Sequence, residues 1–247
     1  MDPRPRVLGV PLDATTPARL VERVVARAKS SERAVIAYAN VHVLNRACAD
    51  PALRRFLCDA DLVYCDGSGV ALAARALGTP VGERLTGADF VWPLMQRVAA
   101  EQLPVFLLAG EPASIEAAAA RLRAEVAGLR IAGAAHGYVA LAEEADLIAA
   151  INESGAKILF VGMGTPRQER FVARNRDRLE VPVVWVVGAL FDFVSGRLRR
   201  GPAWMTDNHL EWLARLLVEP RRLAARYLVG NPLFVLRVLR ERLRRRS

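Results

Sequence analysis

Two charged side chains in the sequence lie close to glycines, in positions where enzymes place reactive groups. The first is Asp66, which directly follows the apolar run Leu62–Cys65 and precedes Gly67. A carboxylate at the end of a buried strand can accept a proton from an attacking hydroxyl group and so act as a general base. The same aspartate could instead cap the next helix, because Asp is a frequent N-cap residue. Residue type and spacing leave both interpretations open.

The second charged side chain is Arg84, which opens the segment Arg84–Asp89. A fixed guanidinium group can neutralise a departing diphosphate, because preorganised cations stabilise negative charge that develops in a transition state. The alternative is a solvated loop arginine before a helix that starts at Thr86 or Ala88, since most arginines lie at the surface.

The segment Gly162–Glu169 is the strongest local signal in the chain. An apolar run ends in glycines, and Pro166 then stands where a helix begins. Backbone N–H groups at such a helix start can face an anion, and Gln168 lies in the first turn. A plain strand-to-helix turn explains the glycines and the proline, but it does not explain why Asn40 and other polar residues follow neighbouring strands.

Short apolar runs alternate with helical patterns along most of the chain, and these elements must position the motifs. Runs rich in Val, Ile and Leu predict buried strands. Their alternation with helices predicts an α/β fold with a Rossmann-like, doubly wound and mostly parallel sheet. The predicted strands are Ala34–Tyr38, Asp61–Cys65, Val105–Ala109, Leu129–Ala132, Ile158–Val161 and Val183–Val187. The predicted helices are Thr16–Lys29, Ser68–Ala76, Ala88–Glu101, Ala113–Val126, Glu143–Glu153 and Arg167–Arg178.

The motifs therefore come to one edge of the sheet, because ligands bind outside the carboxyl ends of the strands in such folds. Glycine stands in most of the predicted loops at that edge, which is typical of a nucleotide site, although the spacing is not GxGxxG. We assign nucleotide contacts to Gly110, Gly162 and Gly164.

All of the net positive charge lies in the last fifth of the chain. From Arg197 onward there are 13 arginines and four acidic residues, and the whole chain has a formal net charge of +9. Three helices are predicted there, at Leu210–Val218, Pro220–Val229 and Pro232–Arg245. We therefore divide the chain into an α/β body, residues 1–196, and a basic helical appendage, residues 197–247.

This appendage predicts an anionic partner. Aromatic residues such as Trp204, Trp212 and Tyr227 lie among its arginines, a mixture typical of segments that bind an anionic membrane surface. RNA fits the charge equally well, and a solvated helix face is the usual meaning of a charge run. No apolar run approaches the roughly 20 residues of a spanning helix, and no signal peptide is visible. We expect peripheral binding, and no nucleic acid partner.

No metal site and no cofactor are expected. Cys48, Cys58 and Cys65 form no CxxC pair and are interpreted as reduced core thiols of a cytosolic protein. The histidines share no ligand spacing. The Asp-any-Asp string Asp59–Asp61 is a familiar metal-binding pattern, but it precedes its strand, so we interpret it as a helix exit.

In their order along the chain, these motifs resemble those of the WecG/TagA/CpsF family of bacterial glycosyltransferases. The resemblance runs from Gly9–Asp13 to about Pro232. Besides the motifs above, it rests on the segments Gly188–Asp192, Pro202–Met205, Leu210–Leu213 and Glu219–Arg222.

The resemblance implies an inverting, metal-independent transferase in cell-wall or exopolysaccharide biosynthesis. It would move a sugar from a UDP-sugar to a polyprenyl-diphosphate-linked acceptor at the inner face of the cell membrane. The reaction centre would consist of Asp66 as the general base with Asn40, Arg84 and Gln168. Tyr138 and Asp192 would contact the nucleotide. The appendage would contact the acceptor diphosphate and the membrane through Arg215, Arg222 and Arg226.

Two departures from the family pattern concern the substrate pocket. Tyr38 stands where the family usually has Thr, two residues before Asn40, and it adds bulk there. A further appendage arginine of the family falls near Ala225, so Arg226 would substitute for it.

Two other function classes stay open. The first is a nucleotide-sugar-binding or RNA-binding protein without catalysis. The second is a nicotinamide-dependent sugar oxidoreductase, which is disfavoured because no GxGxxG follows the first predicted strand. The sequence leaves the oligomeric state and the donor open: amino-sugar, glucose and uronic-acid donors all fit it.

Overall fold

Six parallel strands form the centre of the protein in a computed structural model. The structure describes residues 4–82, 84–198, 201, 205 and 211–245, without the side chains of residues 88, 211, 215 and 222. The strands are β1 (Arg6–Val7), β2 (Val10–Pro11), β3 (Ala34–Ala39), β4 (Leu62–Cys65), β5 (Val105–Ala109), β6 (Ile131–Ala135), β7 (Ile158–Gly162) and β8 (Val183–Val186). The first two pair as a small antiparallel hairpin, and the others form the parallel sheet in the order β4-β3-β8-β7-β5-β6. The predicted fold class is confirmed.

The helices are α1 (Pro17–Ser30), α2 (Val41–Ala47), α3 (Pro51–Asp59), α4 (Ser68–Ala76), α5 (Gly87–Ala100), α6 (Pro112–Glu125), α7 (Glu144–Glu153), α8 (Arg167–Asn175), α9 (Leu190–Val194), α10 (Glu211–Val218), α11 (Pro220–Ala224) and α12 (Gly230–Arg244). A 3₁₀ turn, Leu141–Glu143, precedes α7, and a π-helical turn, Ala225–Val229, joins α11 to α12.

Helices cover both faces of the sheet. One face packs against α2, α3, α4, α7, α8 and α12, and the other against α1, α5, α6 and α9. Because neither face meets water, the strands β5, β7 and β8 are buried at every position. This is why they read as continuous apolar runs in the sequence.

Several predicted bounds were wrong. The strand expected at Leu129–Ala132 is β6, which begins later, at Ile131. Its bounds were missed because it is a half-exposed edge strand and is not marked by a run of large apolar residues. The hairpin of β1 and β2 and the helices α2 and α3 were not predicted. No break separates the last two predicted helices, because the π-helical turn carries the chain from α11 into α12, and Pro232 lies in the first turn of α12.

The last helix packs on the body. Phe234 and Val238 of α12 are buried in the same apolar cluster as β3 and β4. Within the described part of the chain, no helix combines the length and the apolar character that crossing a bilayer requires.

Polar contacts fix the middle and the carboxyl end of α12 to the body. The Arg237 guanidinium donates to the backbone carbonyl and the side-chain Oδ1 of Asn45, each at 2.8 Å. The Glu241 carboxylate accepts from the backbone N–H of Leu8 at 2.8 Å, and Arg245 donates to the carbonyl of Leu77 at 3.2 Å. Removing this helix would therefore expose part of the core.

We expect Phe234→Ala to lower the free energy of unfolding by about 3 kcal/mol, the low end for a buried phenylalanine, because this ring also borders a cavity. The measurement is equilibrium unfolding in denaturant. Leu243→Ala on the same helix is the matched control, since its side chain is 66% exposed and should cost little. Equal losses in the two variants would show that the free energy of unfolding does not depend on the packing of Phe234 against the body.

The three cysteines are free thiols. Cys65 is buried at the end of β4, as predicted for a core thiol. The same prediction is wrong for Cys48, which caps the end of α2 and is exposed.

Candidate active site

A cavity of about 800 Å³ lies over the carboxyl ends of β3 and β4, within the range of small-molecule sites. The loops after β7 and β8 close it on one side, and α4 and α10 to α12 on the other. Its polar wall includes Asn40, Asp66, Arg84, Thr86 and Thr165. Its apolar wall includes Leu72, Phe193, Trp212, Phe234, Val238 and Leu239. The cavity therefore suits a ligand that has both polar and apolar parts.

Asp66 and Asn40 form a pair on the polar wall. The Oδ1 atom of Asn40 caps α2 by accepting from the backbone N–H of Val43 at 3.0 Å. That contact fixes the orientation of the amide, so its Nδ2 donates to Oδ2 of Asp66 at 3.0 Å. The N-cap of α4 is Gly67, whose φ of 94° suits glycine, so Asp66 does not serve as the cap. Asn40, at the end of the neighbouring strand β3, thus holds the Asp66 carboxylate at the cavity.

Arg84 and Thr86 lie beside this pair. The Arg84 guanidinium is 3.9 Å from the carboxylate of Asp89, and both Arg84 and Thr86 line the cavity. Helix α5 begins at Gly87, with Thr86 as its N-cap residue. The Thr86 hydroxyl is buried and finds no hydrogen-bond partner in the described part of the chain. Since buried polar atoms are normally paired, a ligand group is expected there.

Gln168 is fully buried behind the cavity wall and does not line the cavity. Its Oε1 accepts from the backbone N–H of Gly188 at 3.0 Å. Its Nε2 donates to Glu169 at 2.8 Å and to the Tyr38 hydroxyl at 3.4 Å. Gln168 thus supports the loop after β8, and any effect on the reaction centre passes through Gly188 and Tyr38.

Glu169 is a buried carboxyl group that the sequence did not single out. Its Oε1 accepts from the Thr165 hydroxyl at 2.9 Å and from Gln168 at 2.8 Å. Its Oε2 is buried without a hydrogen-bond partner among the described residues. Burial raises the pKa of Glu169, and the hydrogen bonds from Gln168 and Thr165 only partly oppose that rise.

The raised pKa of Glu169 predicts a pH dependence of stability. The folded protein holds this proton more tightly than the unfolded chain, so the associated stability is present at acidic pH. It is lost as the pH rises from the usual glutamate range through the raised pKa. We expect Glu169→Gln to flatten this part of the curve of unfolding free energy against pH, measured in denaturant.

Glu144→Gln is the control for that measurement, because this buried carboxylate is paired with Arg174 at 2.6 Å. It should leave the slope due to Glu169 in place. An unchanged slope in Glu169→Gln would contradict the prediction.

Most of the predicted nucleotide residues form a second group near the carboxyl ends of β5 and β7, outside the cavity. The backbone N–H of Gly110 donates to the carbonyl of Gly162 at 3.2 Å. A Cβ atom on Gly162 would lie 2.6 Å from the carbonyl oxygen of Gly188, so no side chain fits there. Asp192 faces Gly110, and its Oδ1 accepts from the Ser114 hydroxyl at 2.9 Å.

Tyr138 and Gly164 flank this group. The Tyr138 ring is 53% exposed and lies under the guanidinium of Arg167, with 4.6 Å from the guanidinium carbon to the ring centroid. Such an exposed aromatic face can receive a planar base. Gly164, with a φ of 76°, lies in the loop after β7 and lines the cavity.

The structure thus brings some of the predicted residues together and leaves others apart. The cavity is lined by Asn40, Asp66, Arg84, Gly164 and Arg226. Outside it lie Gly110, Tyr138, Gly162, Gln168 and Asp192. The backbones of Arg215 and Arg222 belong to α10 and α11, but their side chains, like all of Trp204, lie outside the described residues.

His42 is a cavity residue whose role the sequence did not reveal. It lies in the first turn of α2 and lines the cavity together with Arg226. Burial, followed by the charges of Arg226 and Arg46, lowers the pKa of His42 to about 4. Its imidazole is therefore neutral near pH 7. Its position two residues after Asn40 was the only sequence signal, because Arg226 is remote in the chain.

No group of three or more His, Cys, Asp or Glu side chains is placed to hold a metal ion within the described ranges. Asp59 ends α3, and Asp61 accepts from the backbone N–H of Val35 at 2.8 Å, at the amino end of β4. The interpretation of Asp59–Asp61 as a helix exit is confirmed.

Comparisons with known proteins identify the family of this chain. A family model described as the glycosyl transferase WecG/TagA/CpsF family matches residues 5–247. A curated relative from Bacillus spizizenii, an N-acetylglucosaminyldiphosphoundecaprenol N-acetyl-beta-D-mannosaminyltransferase, is 32% identical over 208 residues. The aligned part covers 84% of this chain and 79% of the relative. The family match includes both the cavity residues and the strand-end glycines, so this chain belongs to the WecG/TagA/CpsF family of glycosyltransferases.

Proposed function

We propose that this protein is an inverting glycosyltransferase that moves a sugar from a UDP-sugar to a polyprenyl-diphosphate-linked sugar in cell-wall biosynthesis. The observation that carries the proposal is the Asp66–Asn40 pair in a cavity that is also lined by many apolar side chains. The name of the Bacillus relative, whose acceptor is a lipid-diphosphate-linked N-acetylglucosamine, supports the same acceptor class.

In the proposed reaction, Asp66 removes the proton from the acceptor hydroxyl as that oxygen attacks the anomeric carbon of the donor. UDP leaves from the opposite face of the sugar, so a single displacement inverts the anomeric configuration. The contact with Asn40 keeps the carboxylate aimed at the cavity. Gln168 acts as a positioning residue through Gly188 and Tyr38.

The charge of the departing diphosphate is balanced by side chains in this scheme, without a metal ion. Arg84 and Thr86 line the cavity together with Asp66, and the Arg84 guanidinium is suited to the donor phosphates. The group of Gly110, Gly162 and Asp192, with Tyr138 beside it, would hold the rest of the nucleotide. Backbone N–H groups of the glycine loops add to the stabilisation of the anion.

The acceptor diphosphate is assigned to Arg226 and the neutral His42, which both line the cavity. Arg215 and Arg222 of α10 and α11 complete this proposed subsite. The apolar wall would receive the start of the lipid, and Leu72 and Leu239 border it as partly exposed side chains.

Peripheral binding to an anionic membrane surface is the second part of the proposal. Exposed leucines on α12, Leu236, Leu239 and Leu243, alternate with exposed Arg240, Arg242 and Arg244. Aliphatic side chains between arginines favour a lipid surface. They disfavour RNA, because proteins that bind single-stranded nucleic acid offer aromatic faces for stacking.

UDP release tests the reaction. The protein is incubated with UDP-sugars of the glucose, N-acetylhexosamine and uronic-acid types and a polyprenyl-diphosphate N-acetylhexosamine, with and without EDTA. We expect UDP release with one donor class only, dependent on the acceptor and insensitive to EDTA. Binding of UDP-sugars without release would favour the non-catalytic alternative, and loss of activity with EDTA would contradict the metal-independent scheme.

A further inference from the structure

The two groups of site residues lie at different strands, and the sheet order fixes what stands between them. Asn40 and Asp66 follow β3 and β4, whereas Gly110 and Gly162 belong to the ends of β5 and β7. The sheet runs β4-β3-β8-β7-β5 in this region. A UDP-sugar held at the glycines must therefore pass over β7, β8 and β3 to bring its anomeric carbon to Asp66.

Tyr38 covers that path. It belongs to β3, and its hydroxyl lies 3.5 Å from the Thr165 hydroxyl in the loop after β7. A Cβ atom on Gly188, in the loop after β8, would lie 2.6 Å from the Tyr38 hydroxyl oxygen. The phenol thus extends across the ends of three adjacent strands, and Tyr38 lines the cavity.

Neighbouring aromatic rings hold the ring of Tyr38 in place. Tyr38 pairs in register with Tyr64, and their ring centroids are 6.3 Å apart. Tyr64 in turn packs edge-on against the rings of Phe90 and Trp185. With its hydroxyl accepting from Gln168 at 3.4 Å, the side chain has little freedom to move aside.

Tyr38 is also a neutral group at physiological pH. Burial, with a smaller effect from the Glu169 carboxyl, raises the pKa of Tyr38 to about 12. Tyr38 therefore contributes an uncharged aromatic side chain to the cavity lining and takes no part in charge balance.

We propose that Tyr38 forms the base of the donor-sugar subsite and determines its specificity. The subsite accepts a hexose and excludes a sugar that carries an N-acetyl group on the side facing the sheet. The inference rests on the proposed function, because it takes a UDP-sugar as the ligand. An acetamido group is larger than a hydroxyl by three non-hydrogen atoms. The packing beneath Tyr38 cannot yield that space, because the aromatic rings below it are buried in the core.

The test compares affinities for UDP, UDP-glucose and UDP-N-acetylglucosamine, measured by titration calorimetry on the full chain. The variants are Tyr38→Thr, which removes the ring, and Tyr38→Phe, which keeps it. In the unmodified protein we expect UDP-glucose to bind at least about tenfold more tightly than UDP-N-acetylglucosamine. Tyr38→Thr should reduce that ratio at least about tenfold, while Tyr38→Phe keeps it and both variants bind UDP within about twofold of the original affinity.

An unchanged ratio in Tyr38→Thr would overturn the inference, and so would a parallel loss of affinity for UDP alone. Thermal unfolding of both variants shows that they are folded. The outcome is separable from the proposed function, because binding needs no turnover. A shifted ratio without UDP release would remove the transferase proposal and keep the inference. Turnover with an unshifted ratio would remove the inference alone.

Discussion

Asp66→Asn is expected to lower kcat by about 10²- to 10⁴-fold, the usual contribution of general acid–base catalysis. The substitution keeps the size of the side chain, and its amide oxygen can still accept from Nδ2 of Asn40. What is lost is the basic oxygen that takes the acceptor proton. UDP affinity should stay within about twofold, because the assigned nucleotide residues lie at other strands. Initial rates of UDP release and calorimetric titration with UDP measure the two effects.

Asp61→Asn is the matched control, since Asp61 lies at the amino end of the same strand, β4, and accepts from Val35. It should leave kcat within about twofold of the original value. Near-normal turnover by Asp66→Asn would remove Asp66 as the general base. An equal loss of UDP affinity would show that Asp66 serves binding.

Replacing Arg240, Arg242 and Arg244 together by Gln is expected to weaken binding to anionic vesicles by about 100-fold. Each arginine near an anionic leaflet contributes about 1 kcal/mol, so three contribute about 3 kcal/mol. The three side chains are exposed, whereas Phe234 and Val238 of the same helix are buried. Sedimentation with phosphatidylglycerol-containing vesicles at low and high salt measures the effect, which should shrink as salt screens the charges.

Substitution is a sharper test than truncation here, because α12 contributes to the core and its removal would confuse unfolding with loss of binding. The control carries the same charge change on the body, at the exposed Arg19, Arg123 and Arg130. It should keep vesicle binding within about threefold, since those residues lie on other elements. Equal losses in the two triple variants would show that total charge, and not the face of α12, drives the binding.

The sequence by itself determined the α/β class and the edge of the sheet at which polar residues gather. Strands buried on both faces must be apolar throughout, so β5, β7 and β8 were visible as runs of Val, Ile and Leu. The carboxyl ends of parallel strands share one edge, so Asn40 and Asp66 could be placed on the same side. The charge of the last fifth of the chain was equally plain, because composition needs no structure.

Only the tertiary structure decided which of these residues meet. The pair of Asn40 and Asp66, separated by 26 positions, depends on β3 and β4 being neighbours in the sheet. The burial of Gln168 behind the wall and the reach of Tyr38 across β8 depend on the sheet order, which no local pattern records. The same is true of α12, whose arginines predicted a basic appendage but did not predict that Phe234 and Val238 belong to the core of the body. Periodicity reports how deeply a residue is buried, whereas its partners are set by which strands and helices become neighbours.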